Sequence, residues 1–381
     1  MIFDLEDVAS AWELDPEFLH LNHGSFGAVP TVVLAEQRTW QKRMHANPSA
    51  YFRRDVFPAI ADARRTVSQF LGAGDDGLGF VRNSTEAINT VLSSHRLQPG
   101  DEILIFDQEY QAVTMAVGRA ARLAGAQVIE IAVSLHESDD QILEQVRSSI
   151  TSRTRMLVFD NITSATARIM PVAQLVNLCR EQSIVSVVDA SHVPGVLDPR
   201  ISELKPDYWF GNLHKWLCAP VAAGVLYVAP EHRESFQPLI TSWFDALGFP
   251  AAQDMLGTVD YSAWLCAPRA IEFFGEFGFD RVRAANNARA VYGQQVVAQA
   301  LGTGADALRD YGLPMTLVPL ERAGDHEAAG AMSAHIALTH GIEAAITDFR
   351  GQLFIRISGQ LYNRAEDYHA LAAALVRTRE L

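Results

Sequence analysis

Between residues 103 and 229 short apolar, β-branched runs alternate with amphipathic stretches, and that alternation leaves few architectures open. The runs are ILIF (103–106), QVIEIAV (127–133), RMLVFD (155–160), IVSVVDA (184–190), YWF (208–210) and GVLYVA (224–229). Each has strand length and reads as buried on both faces, while stretches such as 114–125 and 172–182 carry apolar residues at helical spacing. The pattern predicts an α/β fold: a mostly parallel sheet covered by helices on both sides. After about residue 245 it changes to helical stretches at 261–278 and 279–304, then to strand-like PMTLVPL (314–320) and LFIRIS (353–358) around another helical stretch. The chain has 381 residues, more than the roughly 250–300 that one core serves. The expectation is an N-terminal segment (1–20), a large α/β domain (21–245) and a small α+β domain (246–381).

A formal charge of −14 argues against a nucleic-acid or anionic-membrane surface, which needs clustered Lys and Arg. No apolar run reaches the roughly 18–20 residues of a membrane span, and MIFDLEDVAS is acidic where a secretory signal is basic. Three cysteines without CxxC spacing suit a reducing compartment and provide no metal site, so a cytoplasmic location is expected. There are only three lysines, Lys42, Lys205 and Lys215, which narrows the search for amine chemistry.

In an open α/β sheet ligands bind beyond the carboxyl ends of strands. Asp189 ends one strand-like run, in Asp189-Ala190-Ser191-His192, and reads either as a cap or as a functional acid. The next run leads into Gly211-Asn212-Leu213-His214-Lys215-Trp216. A lysine shielded there favours its free amine, which attacks carbonyls; the alternative is a stem packed on Trp216 with its head in solvent. Arg82-Asn83-Ser84-Thr85-Glu86 opens a helical pattern and serves equally as a capping box or an anion site. Tyr110 follows the ILIF run and is a half-buried packing residue or a cover for a flat ring. Together these provide an amine, an acid for a pyridine nitrogen, a stacking ring and a phosphate cradle, the set that pyridoxal 5′-phosphate (PLP) requires.

LNHGSFGAVP (21–30), NSTEAIN (83–89), VVDASHVPG (187–195), GNLHKWLCAP (211–220), GTVDYSAW (257–264) and IRISGQLYN (355–363) resemble blocks of the class V aminotransferase family of fold-type I PLP-dependent enzymes, in its isopenicillin N epimerase-like branch. The resemblance implies a homodimer and a Schiff base on Lys215, which also shuttles the Cα proton. It further implies Asp189 on the pyridine nitrogen, His192 near the ring hydroxyl and Tyr110 stacked on the ring. Ser84, Thr85, Asn212 and His214 would hold the phosphate, with Thr258 donated by the second subunit. Ser164 falls near the cofactor hydroxyl. Arg356 would grip the substrate carboxylate, the alternative being a surface charge on an edge strand, and Asn22, His23 and Phe26 would reach the substrate. The stretch 346–358 contains no cysteine, which points away from persulfide chemistry. The implied activity is chemistry at Cα of an amino acid or cysteine S-conjugate in secondary metabolism: C–S lyase, epimerase or transaminase, with decarboxylation-coupled oxidative deamination as an alternative. A non-catalytic PLP-fold binding protein is the rival from another class.

Overall fold

The computed structural model describes residues 4–74, 76–304 and 310–379; the first and last residues of the expected terminal segments lie outside these. The chain divides into two compact units, Val32–Ile162 with Met170–Glu272, and Met1–Thr31 with Thr163–Ile169 and Phe273–Leu381.

The first unit is built on seven strands: β1 (Leu78–Val81), β2 (Glu102–Phe106), β3 (Gln127–Ile131), β4 (Thr154–Asp160), β5 (Val185–Asp189), β6 (Tyr208–Asn212) and β7 (Gly224–Val228). Their order is β1-β7-β6-β5-β4-β2-β3; β3, β2, β4, β5 and β6 are parallel, and β7 pairs antiparallel with both β6 and β1, so that it alone of the seven runs the opposite way. Helices α1 (Ser84–Ser94), α2 (Gln111–Ala124) and α3 (Val172–Glu181) connect them. All six strand-like runs are strands. β3 corrects the expectation of burial on both faces: it is the sheet edge, and Gln127 and Glu130 are exposed. β1 had no clear sequence signal, since LGFV is short and contains glycine, a weak strand former. The core lies between sheet and helices, with Ile88, Val91, Ile105, Val117, Val158, Val187 and Phe210 fully buried or nearly so.

The second unit holds a three-stranded antiparallel sheet of β8 (Met315–Ala323), β9 (Ala345–Phe349) and β10 (Gln352–Ser358), with β10 in the centre. Helices α4 (Phe279–Leu301), α5 (His326–His340) and α6 (Ala365–Arg379) belong with it, and Val297, Val318, Ile336, Ile355, Ile357 and Leu371 form its core. Leu19–His20 pairs in parallel with Ile342–Glu343, which ties the N-terminal segment to this unit. The helical stretch at 261–278 is broken, into Ser262–Leu265 and Ala267–Gly275. No helix among the described residues is long and apolar enough to cross a membrane.

Candidate active site

The parallel register brings polar residues together at the carboxyl ends of β4, β5 and β6. Asp160 sits beside Asp189 across β4 and β5, and Asp189 beside Phe210 across β5 and β6. The turn after β5 closes on its own acid: the Ser191 N–H donates to Asp189 Oδ1 at 2.8 Å, and the Ser191 hydroxyl donates to the same oxygen. The other oxygen, Oδ2, is buried with no hydrogen-bond partner. A buried carboxylate oxygen in that position is costly until something completes it. Burial pushes the Asp189 carboxyl above its ordinary range, while the Ser191 hydrogen bonds and the charge of Lys215 pull it down.

Glu109 is a second buried acid here. Its Oε1 accepts the Asp160 N–H at 3.0 Å and its Oε2 has no partner. Burial, then the charge of Asp189, raises it well above the usual carboxylate range.

The loop from β6 to β7 carries Lys215. It is cinched by its own backbone: the Leu213 and His214 N–H groups both donate to the Ala223 carbonyl, at 2.9 and 3.2 Å, and Cys218 N–H donates to Lys215 O at 3.1 Å. Cys218 (φ 57°) and Ala222 (φ 73°) adopt the left-handed conformation that side chains disfavour, and such strain persists only where the surroundings over-determine it. Gly195 (φ +90°) allows the turn after Asp189 to lie against this loop, because a Cβ there would be 2.7 Å from the Trp216 carbonyl. Lys215 Nζ lies 3.2 Å from His192 Nε2, and Trp216 Nε1 donates to His192 Nδ1 at 3.2 Å. His214 donates from Nδ1 to Ala223 O at 2.7 Å; burial, with a smaller push from the charge of Lys215, brings its imidazole down to about 4 despite that carbonyl.

α1 presents its N-terminus to the same cluster. Asn83 caps it, accepting the Glu86 N–H at 2.9 Å, and the first-turn charge of Glu86 is matched by Arg82 at 2.6 Å. The Ser84 N–H donates to Asn212 Oδ1 at 3.0 Å, and Ser84 Oγ lies 2.5 Å from Ser191 Oγ. Ser84 is therefore linked through Ser191 to Asp189. Thr85 is exposed, and Tyr110, at the N-terminus of α2, leaves 47% of its surface open. Thr258 lies in an exposed bend, and no described contact brings it to Lys215.

In the second unit a guanidinium organises a separate cluster. Arg356 alternates with the core residues Ile355 and Ile357 on β10, so it points to the opposite face, yet it is only 2% exposed. The edge-strand surface reading therefore does not apply: β10 is central and its arginine is buried. Nη1 donates to Ser164 O at 2.6 Å and to Ser164 Oγ at 3.3 Å; Nη2 donates to Ser25 Oγ at 2.6 Å and to Asn22 Oδ1 at 3.3 Å. All are neutral acceptors, and no carboxylate balances the charge among the described residues. Burial lowers the guanidinium to about 10, which leaves it charged at neutral pH. His23 is fully buried, 2.8 Å from Tyr362 Oη and 3.1 Å from the Gln360 amide nitrogen. It anchors the N-terminal segment rather than joining the guanidinium. Phe26 is 75% exposed.

Sequence reasoning missed Ser191, Glu109, Trp216 and Ser25 as members of these clusters. Three of them directly neighbour or nearly adjoin residues it singled out, and Ser25 lies in LNHGSFGAVP, but hydroxyl, carboxyl and indole partners declare themselves only through contacts.

The family model for aminotransferase class-V matches residues 25–371. The chain is 29% identical to an isopenicillin N epimerase of Streptomyces clavuligerus, covering 98% of each protein. It is 28% identical to a probable chloroplastic L-cysteine desulfhydrase of Arabidopsis thaliana, over 95% of this chain and 83% of the relative. Its fold superposes with a TM-score of 0.81, at 19% identity and covering 95% and 97% of the two chains, on a mutant of C-DES with glycine covalently linked to the PLP cofactor. On this match over nearly its whole length, the chain belongs to the class-V aminotransferase family.

Proposed function

We propose that this chain is a PLP-dependent enzyme that works at Cα of a free amino acid or cysteine S-conjugate. The observation that carries the reading is the buried, unpartnered Oδ2 of Asp189 in one cluster with the amine of Lys215. The residues present fit the cofactor: an acid oxygen awaiting a donor, an amine, an exposed ring at Tyr110 and a helix N-terminus at Ser84.

When bound, the cofactor supplies an aldehyde carbon for amines and a ring that takes up the electron pair released at Cα. Asp189 Oδ2 holds the proton on the ring nitrogen, and the two Ser191 hydrogen bonds to Oδ1 keep that carboxylate in orientation. Lys215 Nζ would hold the cofactor aldehyde and would move the proton at the substrate Cα. Ser84, Thr85 and Asn212 would hold the phosphate at the start of α1, where unpaired N–H groups and the helix dipole favour an anion, and His214 would join them in its protonated form, because its Nδ1–H is already given to Ala223 O. Tyr110 covers one ring face. Arg356 binds the substrate carboxylate with its planar fork, held ready by Asn22, Ser25 and Ser164.

The relatives include an epimerase and a cysteine desulfhydrase, which supports an amino-acid substrate that loses its Cα proton and is then either inverted at Cα or relieved of a sulfur substituent at Cβ. A homodimer and a cytoplasmic location complete the proposal. The first is supported by the exposed apolar residues Trp243, Leu247 and Val259, which lie in the same 243–259 stretch of sequence as the exposed Thr258, and the second by three free, buried cysteines. Mass spectrometry of products from purified protein, PLP and a panel of amino acids and cysteine conjugates tests the reading. Pyruvate release identifies β-elimination, and deuterium entry at Cα without net product identifies epimerisation. A protein whose visible cofactor band no amine perturbs would be a binding protein instead.

A further inference from the structure

His192 is 1% exposed and both of its ring nitrogens are engaged: Nδ1 by the indole N–H of Trp216 at 3.2 Å and Nε2 by Lys215 Nζ at 3.2 Å. An indole nitrogen only donates, so the nitrogen it meets must offer a lone pair. We propose that Trp216 is a positioning residue: its N–H restricts His192 to the Nε2–H tautomer, so that a neutral hydrogen-bond donor faces the Lys215 amine. The inference rests on the reading of Lys215 as the cofactor-joining amine and extends it to the group that prepares that amine.

A lysine ammonium has three N–H bonds and no lone pair, so it cannot accept from Nε2–H; a free amine can. The contact is satisfied only with Lys215 in its nucleophilic form. The negative charge of Asp189 acts in the opposite sense, favouring the ammonium. Were His192 able to turn its lone pair toward Lys215, its own proton would move to Nδ1 and confront the indole N–H. Trp216 forbids that arrangement, and its 3% exposure leaves little room for water to take its place. The backbone of Trp216 is itself seated against Gly195, a position where any Cβ would collide with it.

The test uses the full-length chain with nitrogen-15 in its histidines. The His192 signals are identified by their loss in His192→Gln. In the cofactor-free chain the expected spectrum has a protonated Nε2 and a bare Nδ1. Trp216→Phe keeps an aromatic ring and removes the donor, and should produce a mixture containing Nδ1–H. On adding pyridoxal phosphate at fixed pH, the visible band of the lysine-joined cofactor should form about two- to tenfold more slowly in that variant, the range of one hydrogen bond. A wild-type His192 protonated at Nδ1 overturns the inference without any variant. So does a Trp216→Phe protein with an unchanged His192 spectrum, even if capture is slower, because loosened packing alone would do that. If the wild-type chain captures no cofactor at all, the proposed function fails, while the tautomer measurement still decides the role of Trp216.

Discussion

The two clusters are opposite in sign and alike in design. Around Asp189 a buried acid has one oxygen held by Ser191 and the other left without a donor. Around Arg356 a buried cation has both terminal nitrogens held by neutral oxygens and no carboxylate among the described residues. Each leaves a buried ionisable group incompletely partnered, Asp189 at Oδ2 and Arg356 at Nε, in a place where removing charge from water is expensive. On the proposed function, the difference in sign assigns a protonated ring nitrogen to the first and a carboxylate to the second.

The largest effect should come from the amine. Lys215→Ala should reduce turnover by at least about 10²- to 10⁴-fold and abolish the visible band of lysine-joined cofactor, read by absorbance and steady-state rates. Retained turnover would break the pairing of the acid cluster with catalysis. Arg356→Gln should come next. Truncating one side of a buried charge pair costs about 2–5 kcal/mol, so kcat/KM for an amino acid should fall by about 10²-fold or more. Cofactor capture should stay normal in that variant. Lost capture would instead mean that the two clusters do not have separate ligands.

A third test uses the pH response of the cofactor-free chain. His214 titrates near 4 in the folded chain against 6.5 ordinarily. The unfolded chain therefore binds more protons across that window, and stability is lost as pH falls from 6.5 toward 4, by up to about 3 kcal/mol, with no further contribution above it. Denaturant unfolding of His214→Asn should show a correspondingly flatter acid limb; an unchanged limb would mean that His214 is not held neutral by its surroundings. The smallest effect belongs to Tyr110→Ala, where loss of ring stacking should weaken cofactor binding by about 0.5–1.5 kcal/mol in a titration and leave unfolding of the cofactor-free chain almost unchanged.

Among the strands, what could be read depended on burial. β2, β4 and β5 are enclosed by helices and consist of apolar, β-branched runs, so periodicity found them. β9, with the sequence AITDF, carries polar residues on a partly open strand and went unnoticed. Lys215 and Asp189 stood out because a charged side chain at or just beyond the carboxyl end of a buried strand is unusual. Arg356 was visible as a residue but its direction was not, because alternation along IRIS fits either face until β10 is known to be the central strand.

The order of short apolar strands and amphipathic helices, and the amine and acid at their ends, were determined by the sequence alone, since both follow from local patterns of burial and charge. Tertiary structure decided which oxygen of Asp189 is left without a donor, that Trp216 meets His192, and that Arg356 is surrounded by Asn22, Ser25 and Ser164. Those partners come from distant or differently turned segments, and a hydrogen bond of about 3 Å depends on how the chain folds back, which no local pattern encodes.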